Sequence, residues 1–185
     1  MVEMSIYGVS FDLVGKQPIV LLKTAEGNRY LPIWIGHPEA AAILMKLQGA
    51  SAPRPLTHDL LVNILGELDV EVVRVTVTEL RENTFHASIT VQQDGAEIEI
   101  DSRSSDAIAI AVRAQVPIFA ADEVIEESAI EFDGEDVNEE EIVDEFKQFL
   151  DRVSAEDFAE AEAAEAAAEA EADPEADPEA EEDDA

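Results

Sequence analysis

The stretch AEIEIDSRSSDAIAIAVRAQ, Ala96–Gln115, changes period in its middle. Ile98 and Ile100 alternate with Glu97 and Glu99, the two-residue repeat of a strand. From Ser104 onward the run is rich in alanine and isoleucine and ends on Arg113, which suits a helix. Ser104 is the N-cap expected at the join. The stretch thus predicts a strand running straight into a helix, with Asp101, Arg103, Ser105 and Asp106 crowded at the junction.

Working outward, two more alternating runs precede it: VEVVRVTVTEL (70–80) and NTFHASITVQQ (83–93), the second closed by the hairpin turn Asp94-Gly95. The same order occurs earlier in the chain. MSIYGVSFDLV (4–14), KQPIVLLKT (16–24) and RYLPIWIG (29–36) read as strands, followed by the helix HPEAAAILMKLQG (37–49). Sliding one half over the other by 67 residues sets Glu39 on Asp106, Ile43 on Ile110 and Lys46 on Arg113. It also sets Leu31 and Ile33 on Ile98 and Ile100. The expectation is an α+β fold of two duplicated β-β-β-α units in one compact domain, residues 1–133. Each unit carries a further helix, THDLLVNILGEL (57–68) and DEVIEES (122–128).

Beyond the domain, residues 134–153 contain NEEEIVDEFKQFLDRV, read as a linker and amphipathic helix with Ile142, Phe146, Phe149, Leu150 and Val153 on one stripe. Residues 154–185 are an acidic Ala/Glu-rich tail without one base, expected to be disordered. The stripe on that helix and the nearly all-apolar EAAAILMKL suggest a homo-oligomer, a dimer or higher.

Charge narrows the function classes. The 185-residue chain carries a net −33, of which −12 falls on residues 1–133 (21 acids, nine bases). Its arginines and lysines are scattered, which argues against tight metal-free binding to nucleic acid but leaves room for a cleft in which a cation reverses the local field. There is no cysteine, no membrane-spanning run and no signal-peptide layout, so the expectation is a cytoplasmic protein with no membrane partner.

Candidate chemistry lies in two places. In RPLTHDLL (54–61), Thr57 is the expected N-cap, and Leu60, Leu61, Ile64, Leu65 and Leu68 the expected buried stripe, with Asp59 on the polar face. Arg54 and His58 are surplus to starting a helix. His58 suits a ligand, a base or a core hydrogen-bond partner. In IDSRSSDAIA (100–109), Arg103 at a helix start offers an anion site, while an internal Asp–Arg brace is an equal alternative. The carboxylates Glu39, Asp59, Asp101 and Asp106 are hard oxygen donors of the kind that holds Mg²⁺ or Mn²⁺. No phosphate-binding GxxxxGK[ST] loop, HExxH or G-x-S-x-G motif is present.

Three blocks in order, LPIWIGHPEAAAI (31–43), RPLTHDLLVNIL (54–65) and IDSRSSDAIAIAVR (100–113) with PIFAADEVI (117–125), resemble the bifunctional nuclease (BFN) domain family. The likeness runs from about Val2 to Phe132. Matching positions are Ile35, Gly36, Glu39 and Ala40, then Arg54, Pro55, Thr57, His58 and Asp59, then Asp101, Arg103, Ser105, Asp106 and Ala107. The resemblance implies a nuclease acting on DNA and RNA, a duplicated α+β fold and oligomerisation. On that basis His58, Asp59, Asp106 and Glu39 are the catalytic candidates, and Arg54 and Arg103 the phosphate ligands. Glu39, Asp59, Asp101 and Asp106 are the candidate Mg²⁺ or Mn²⁺ ligands. A non-catalytic binding or regulatory module, its charges bracing the fold, is the alternative.

Overall fold

The structure, a computed structural model, describes residues 1–11, 17–50 and 52–131. The segments read from sequence as a C-terminal helix and acidic tail lie outside these described residues. In chain order the elements are β1 (Val2–Phe11), β2 (Pro18–Thr24), β3 (Arg29–Trp34), α1 (His37–Leu47) and α2 (Thr57–Glu67). They are followed by β4 (Glu71–Arg81), β5 (Thr84–Gln93), β6 (Ala96–Arg103) and α3 (Ser104–Ala114). Then come β7 (Ile118–Ala120), α4 (Asp122–Ser128) and β8 (Ile130–Glu131).

All eight strands of the described residues join one sheet in the order β6-β5-β4-β7-β1-β2-β3-β8, giving a mixed α+β fold. Local chemistry sets the hairpins. Glu82-Asn83 and Asp94-Gly95 all have positive φ, the two-residue turn whose twist matches antiparallel strands, so β4-β5 and β5-β6 close tightly. The two three-stranded blocks are joined by β7 alone, parallel to β4 (Val75 opposite Ile118) and antiparallel to β1 (Val2 opposite Ala120).

α3 is the centre of the helical layer. It packs against α1, α2, β4 and β5. Ala107, Ile108, Ala109, Ile110 and Ala111 are all buried, because alanines let neighbours approach closely while the isoleucines fill the core with Val75, Val77, Ile89 and Val91. Burying Ile108 and Ile110 contributes about 1.5–3 kcal/mol each.

Burial departs from the sequence pattern in two places. Ile98 and Ile100, the counterparts of fully buried Leu31 and Ile33, are exposed. Strand β6 is the free edge of the sheet, whereas β3 is flanked by β2 and β8 and packed on by α4. On α2 the expected stripe is inverted: Leu60, Leu61, Ile64 and Leu68 are exposed, while His58, Asp59, Val62 and Leu65 are partly buried. The reason is polar. His58 binds Asp106 and Asp59 binds Arg113, both on α3, and these two ties fix the rotation of α2 about its axis. Because Asp106 and Arg113 lie about 10 Å apart along α3, neighbouring residues of α2 reach both only if α2 crosses α3 steeply.

Helix starts differ from expectation by one residue. The N-cap of α2 is Leu56 rather than Thr57, and its N–H is satisfied by the Asp59 carboxylate (2.9 Å), an acid three residues on doing the capping. The N-cap of α3 is Arg103 rather than Ser104.

Candidate functional site

The strand-to-helix junctions β3–α1 and β6–α3 lie side by side and bring their charges together. Arg103, last residue of β6, donates from Nε to Asp106 Oδ2 (2.7 Å) and from Nη2 to Glu39 Oε1 (3.0 Å). Asp106 turns its other oxygen to His58 Nε2 (2.9 Å). The result is one chain of four groups, Glu39–Arg103–Asp106–His58, drawn from α1, β6, α3 and α2. Glu39 turns back over the start of its own helix into the space left by Gly36: a Cβ there would collide with Glu39 Oε2 and displace the carboxylate.

Electrostatics follow from these contacts. Burial by itself pushes the Asp106 carboxyl up, but the hydrogen bonds and charges of Arg103 and His58 outweigh it, so its pKa falls below the ordinary aspartate value. An ionised carboxylate only accepts, so His58 Nε2 donates to Asp106 Oδ1. The hydrogen bond to Asp106 raises the already high pKa of Arg103 against the opposing effect of burial.

Arg103 is nevertheless 68% exposed, and it forms part of a cleft of about 280 Å³ with Ser104, Ser105, Trp34 and Phe85. Three of its five N–H donors are uncommitted among the described residues. With the free N–H groups of the first turn of α3, they make a corner that favours an anion.

The other sequence candidates go elsewhere. Asp59 is held by Arg113 Nε (2.6 Å) and the Leu56 N–H. Burial raises its pKa, but Leu56, Arg113 and Lys46 together bring it below the ordinary value. Arg54 is exposed and lines a second cleft of about 310 Å³ with Lys46, Asp59, Asn63 and Arg113, apart from Arg103. Asp101 is exposed on β6, opposite Ser88. His58, with 13% of its side chain exposed, lines neither cleft.

The four carboxylates expected to gather around Mg²⁺ or Mn²⁺ therefore do not converge. Among the described residues no group of three or more His, Cys, Asp or Glu side chains is placed to hold a metal ion. Glu39 and Asp106 share a guanidinium where a cation would sit, Asp59 serves Arg113, and Asp101 stands on the sheet edge. A metal ion at Glu39 and Asp106 would have to replace Arg103.

One organising residue escaped the sequence reading. The Arg113 side chain is only 4% exposed, and besides Asp59 it donates to Ala109 O (2.9 Å) and Ala42 O (3.2 Å), tying α3 to both α1 and α2. Its signal was present, since Asp106 and Arg113 are seven residues apart on one helix face. The face, however, looks toward α2 instead of bearing an intrahelical motif.

Fold and site define an α+β domain whose exposed arginine is anchored by acids at a helix start. A family model described as the bifunctional nuclease domain matches residues 20–133, and the chain belongs to that family. An uncharacterised protein of Mycobacterium tuberculosis (strain H37Rv) is 39% identical over 162 residues, covering 84% of this chain and 97% of its own length. Bifunctional nuclease 1 of Oryza sativa subsp. japonica is 28% identical over 103 residues, 54% of this chain and 31% of the rice protein. The bifunctional nuclease of Oryza minuta matches to the same extent. Among the described residues no helix is long and apolar enough to cross a membrane.

Proposed function

We propose that this protein is a nuclease that hydrolyses phosphodiester bonds of DNA or RNA with little sequence preference. The observation that carries the reading is the exposed guanidinium of Arg103, braced by Glu39 and Asp106 at the start of α3. Family membership supplies the reaction class. In hydrolysis a water oxygen forms a new bond to phosphorus while the ester P–O bond breaks, and negative charge builds on the non-bridging oxygens. Arg103 and the first-turn N–H groups of α3 would face that charge already oriented, which is where such donors act most strongly. Glu39, Asp106 and, through Asp106, His58 act as positioning residues for Arg103. No step is routed through a metal, because Glu39, Asp59 and Asp106 are committed to arginines and Asp101 stands apart on the sheet edge.

The test is degradation of single-stranded DNA and RNA by the purified full chain in Mg²⁺, Mn²⁺ or EDTA. Arg103→Ala should lower the rate about 10²–10³-fold, the usual effect of losing one such donor. Undiminished cutting by that variant would remove Arg103 from the mechanism. Cutting that needs a divalent ion would show that the acids exchange Arg103 for a metal.

The alternative, a non-catalytic binding or regulatory module, draws on one specific observation: Glu39, Asp59, Asp106 and His58 are all satisfied by partners within the chain. Absence of cutting under every condition would favour it.

We also infer self-association through α2. Thr57–Glu67 contains no lysine or arginine, and its acids are the paired Asp59 and terminal Glu67. Two copies can therefore meet on Leu60, Leu61 and Ile64 without opposing their acidic surfaces, and burying these side chains favours the contact. The cysteine-free composition fits a reducing compartment, which we take to be the cytoplasm.

A further inference from the structure

The cleft beside Arg103 has more in it than an anion corner needs. At one end Ser104 and Ser105, the first two residues of α3, are only 6% and 7% exposed. Both line the cleft, and neither hydroxyl has a hydrogen-bond partner among the described residues. Hydroxyls without a protein partner on two buried serines that line the cleft, set beside free helix N–H groups and a guanidinium with unused donors, are suited to a tetrahedral oxyanion. Along the cleft the chemistry changes. Trp34 on β3 and Phe85 on β5 supply aromatic surface, and Gln17 and Asn83 supply amides. At about 280 Å³ the space lies near the lower end of the ~300–1,000 Å³ range of small-molecule sites.

An anion corner, an aromatic wall and edge amides in a space of that size match the parts of one nucleotide. The geometry points to a mononucleotide pocket: phosphate on Arg103, Ser104 and Ser105, base against Trp34 and Phe85. This deepens the nuclease reading and rests on it for the biological role of the pocket. Binding itself can be measured without any cutting. A base reaches such a wall only when it is out of a duplex stack, so the unit recognised belongs to a single strand or a strand end. Stacking on an aromatic ring does not discriminate between bases, which agrees with weak sequence preference.

The chain has one tryptophan, Trp34, so its intrinsic emission reports on this cleft alone. The experiment titrates the full-length protein, in EDTA, with adenosine 5′-monophosphate, ribose 5-phosphate and inorganic phosphate. Emission and calorimetry are read together. Adenosine 5′-monophosphate should bind saturably and change Trp34 emission, with phosphate competing. Ribose 5-phosphate should bind at least about tenfold more weakly, since one stacked base is worth about 1–3 kcal/mol. Arg103→Ala should weaken all three ligands, and Phe85→Leu should weaken adenosine 5′-monophosphate while leaving phosphate unchanged. No saturable binding, or binding that leaves Trp34 emission unmoved, overturns the pocket. Equal affinity for ribose 5-phosphate overturns the place given to the base. Nucleotide binding without hydrolysis upholds the pocket and fails the nuclease reading. Hydrolysis without nucleotide binding does the reverse.

Discussion

Helix α3 carries an arginine near each end, and the two have opposite fates. Arg103 precedes the helix, is mostly exposed, and is held from behind by Glu39 and Asp106 with donors left over. Arg113 sits in the last turn, is almost wholly buried, and is bonded to Asp59 and two backbone carbonyls. Each is a guanidinium on an aspartate. What separates them is solvent: an exposed pair contributes little to stability but leaves the cation available, whereas a buried one locks helices together and offers nothing to a ligand.

The contrast can be broken at either end. The largest effect on stability belongs to Arg113→Met, which strands the Asp59 carboxylate and deprives two carbonyls of a donor. We expect a loss of about 3 kcal/mol in urea unfolding, with partial exposure of Asp59 keeping it at the low end for a buried pair. Asp59→Asn should cost less, about 1–2 kcal/mol at neutral pH, because the amide keeps part of the cap. The sign with pH is fixed. The folded pKa of Asp59 is lowered, so its contribution is fully present above the ordinary value of 3.8 and disappears as pH falls through the lowered value. The gap between wild type and Asp59→Asn should therefore be constant at neutral pH and close in acid unfolding curves.

At the exposed end, Arg103→Ala should change stability by less than about 1 kcal/mol, although it weakens anion binding. A larger loss would make Arg103 a brace like Arg113 and erase the distinction. Gly36→Ala tests the support behind Arg103: its methyl displaces Glu39, so ligand affinity should drop while Glu39→Gln drops it less. Smallest in stability terms is Leu61→Glu, on the outer face of α2. It should leave unfolding within about 0.5 kcal/mol once dissociated, but shift sedimentation toward the monomer. Unchanged sedimentation would leave that face without a self-association role.

Much of this was legible in the chain. Period-two runs and the Asp94-Gly95 turn marked the long strands, and the helix that follows β6 announced itself by its change of period. What sequence could not supply was the rotation of α2. Its leucines form the better apolar stripe, and a reading by periodicity buries them; two cross-helix polar contacts, His58–Asp106 and Asp59–Arg113, turn them outward. The same blindness made Arg113 look like a repeat mate and scattered the candidate site over two clefts, with Arg54 in one and Arg103 in the other. Of the candidates, Glu39, Asp106, Arg103 and His58 do meet, and they stand at or near element boundaries, where backbone groups are free and charges collect. Strand β7 was missed for a simpler reason: three residues are too few to show a period.

That short strand also sets a clock for biosynthesis. Val2 emerges from the ribosome 118 residues ahead of its partner in β7, Ala120. At about 5–20 residues per second, β1 waits roughly 6–24 s with one edge unpaired while the rest of the domain is made. Throughout that interval nascent β1 presents an open strand edge. The acidic Glu3 borne by that strand is the sort of gatekeeper that discourages a wrong neighbour from pairing first.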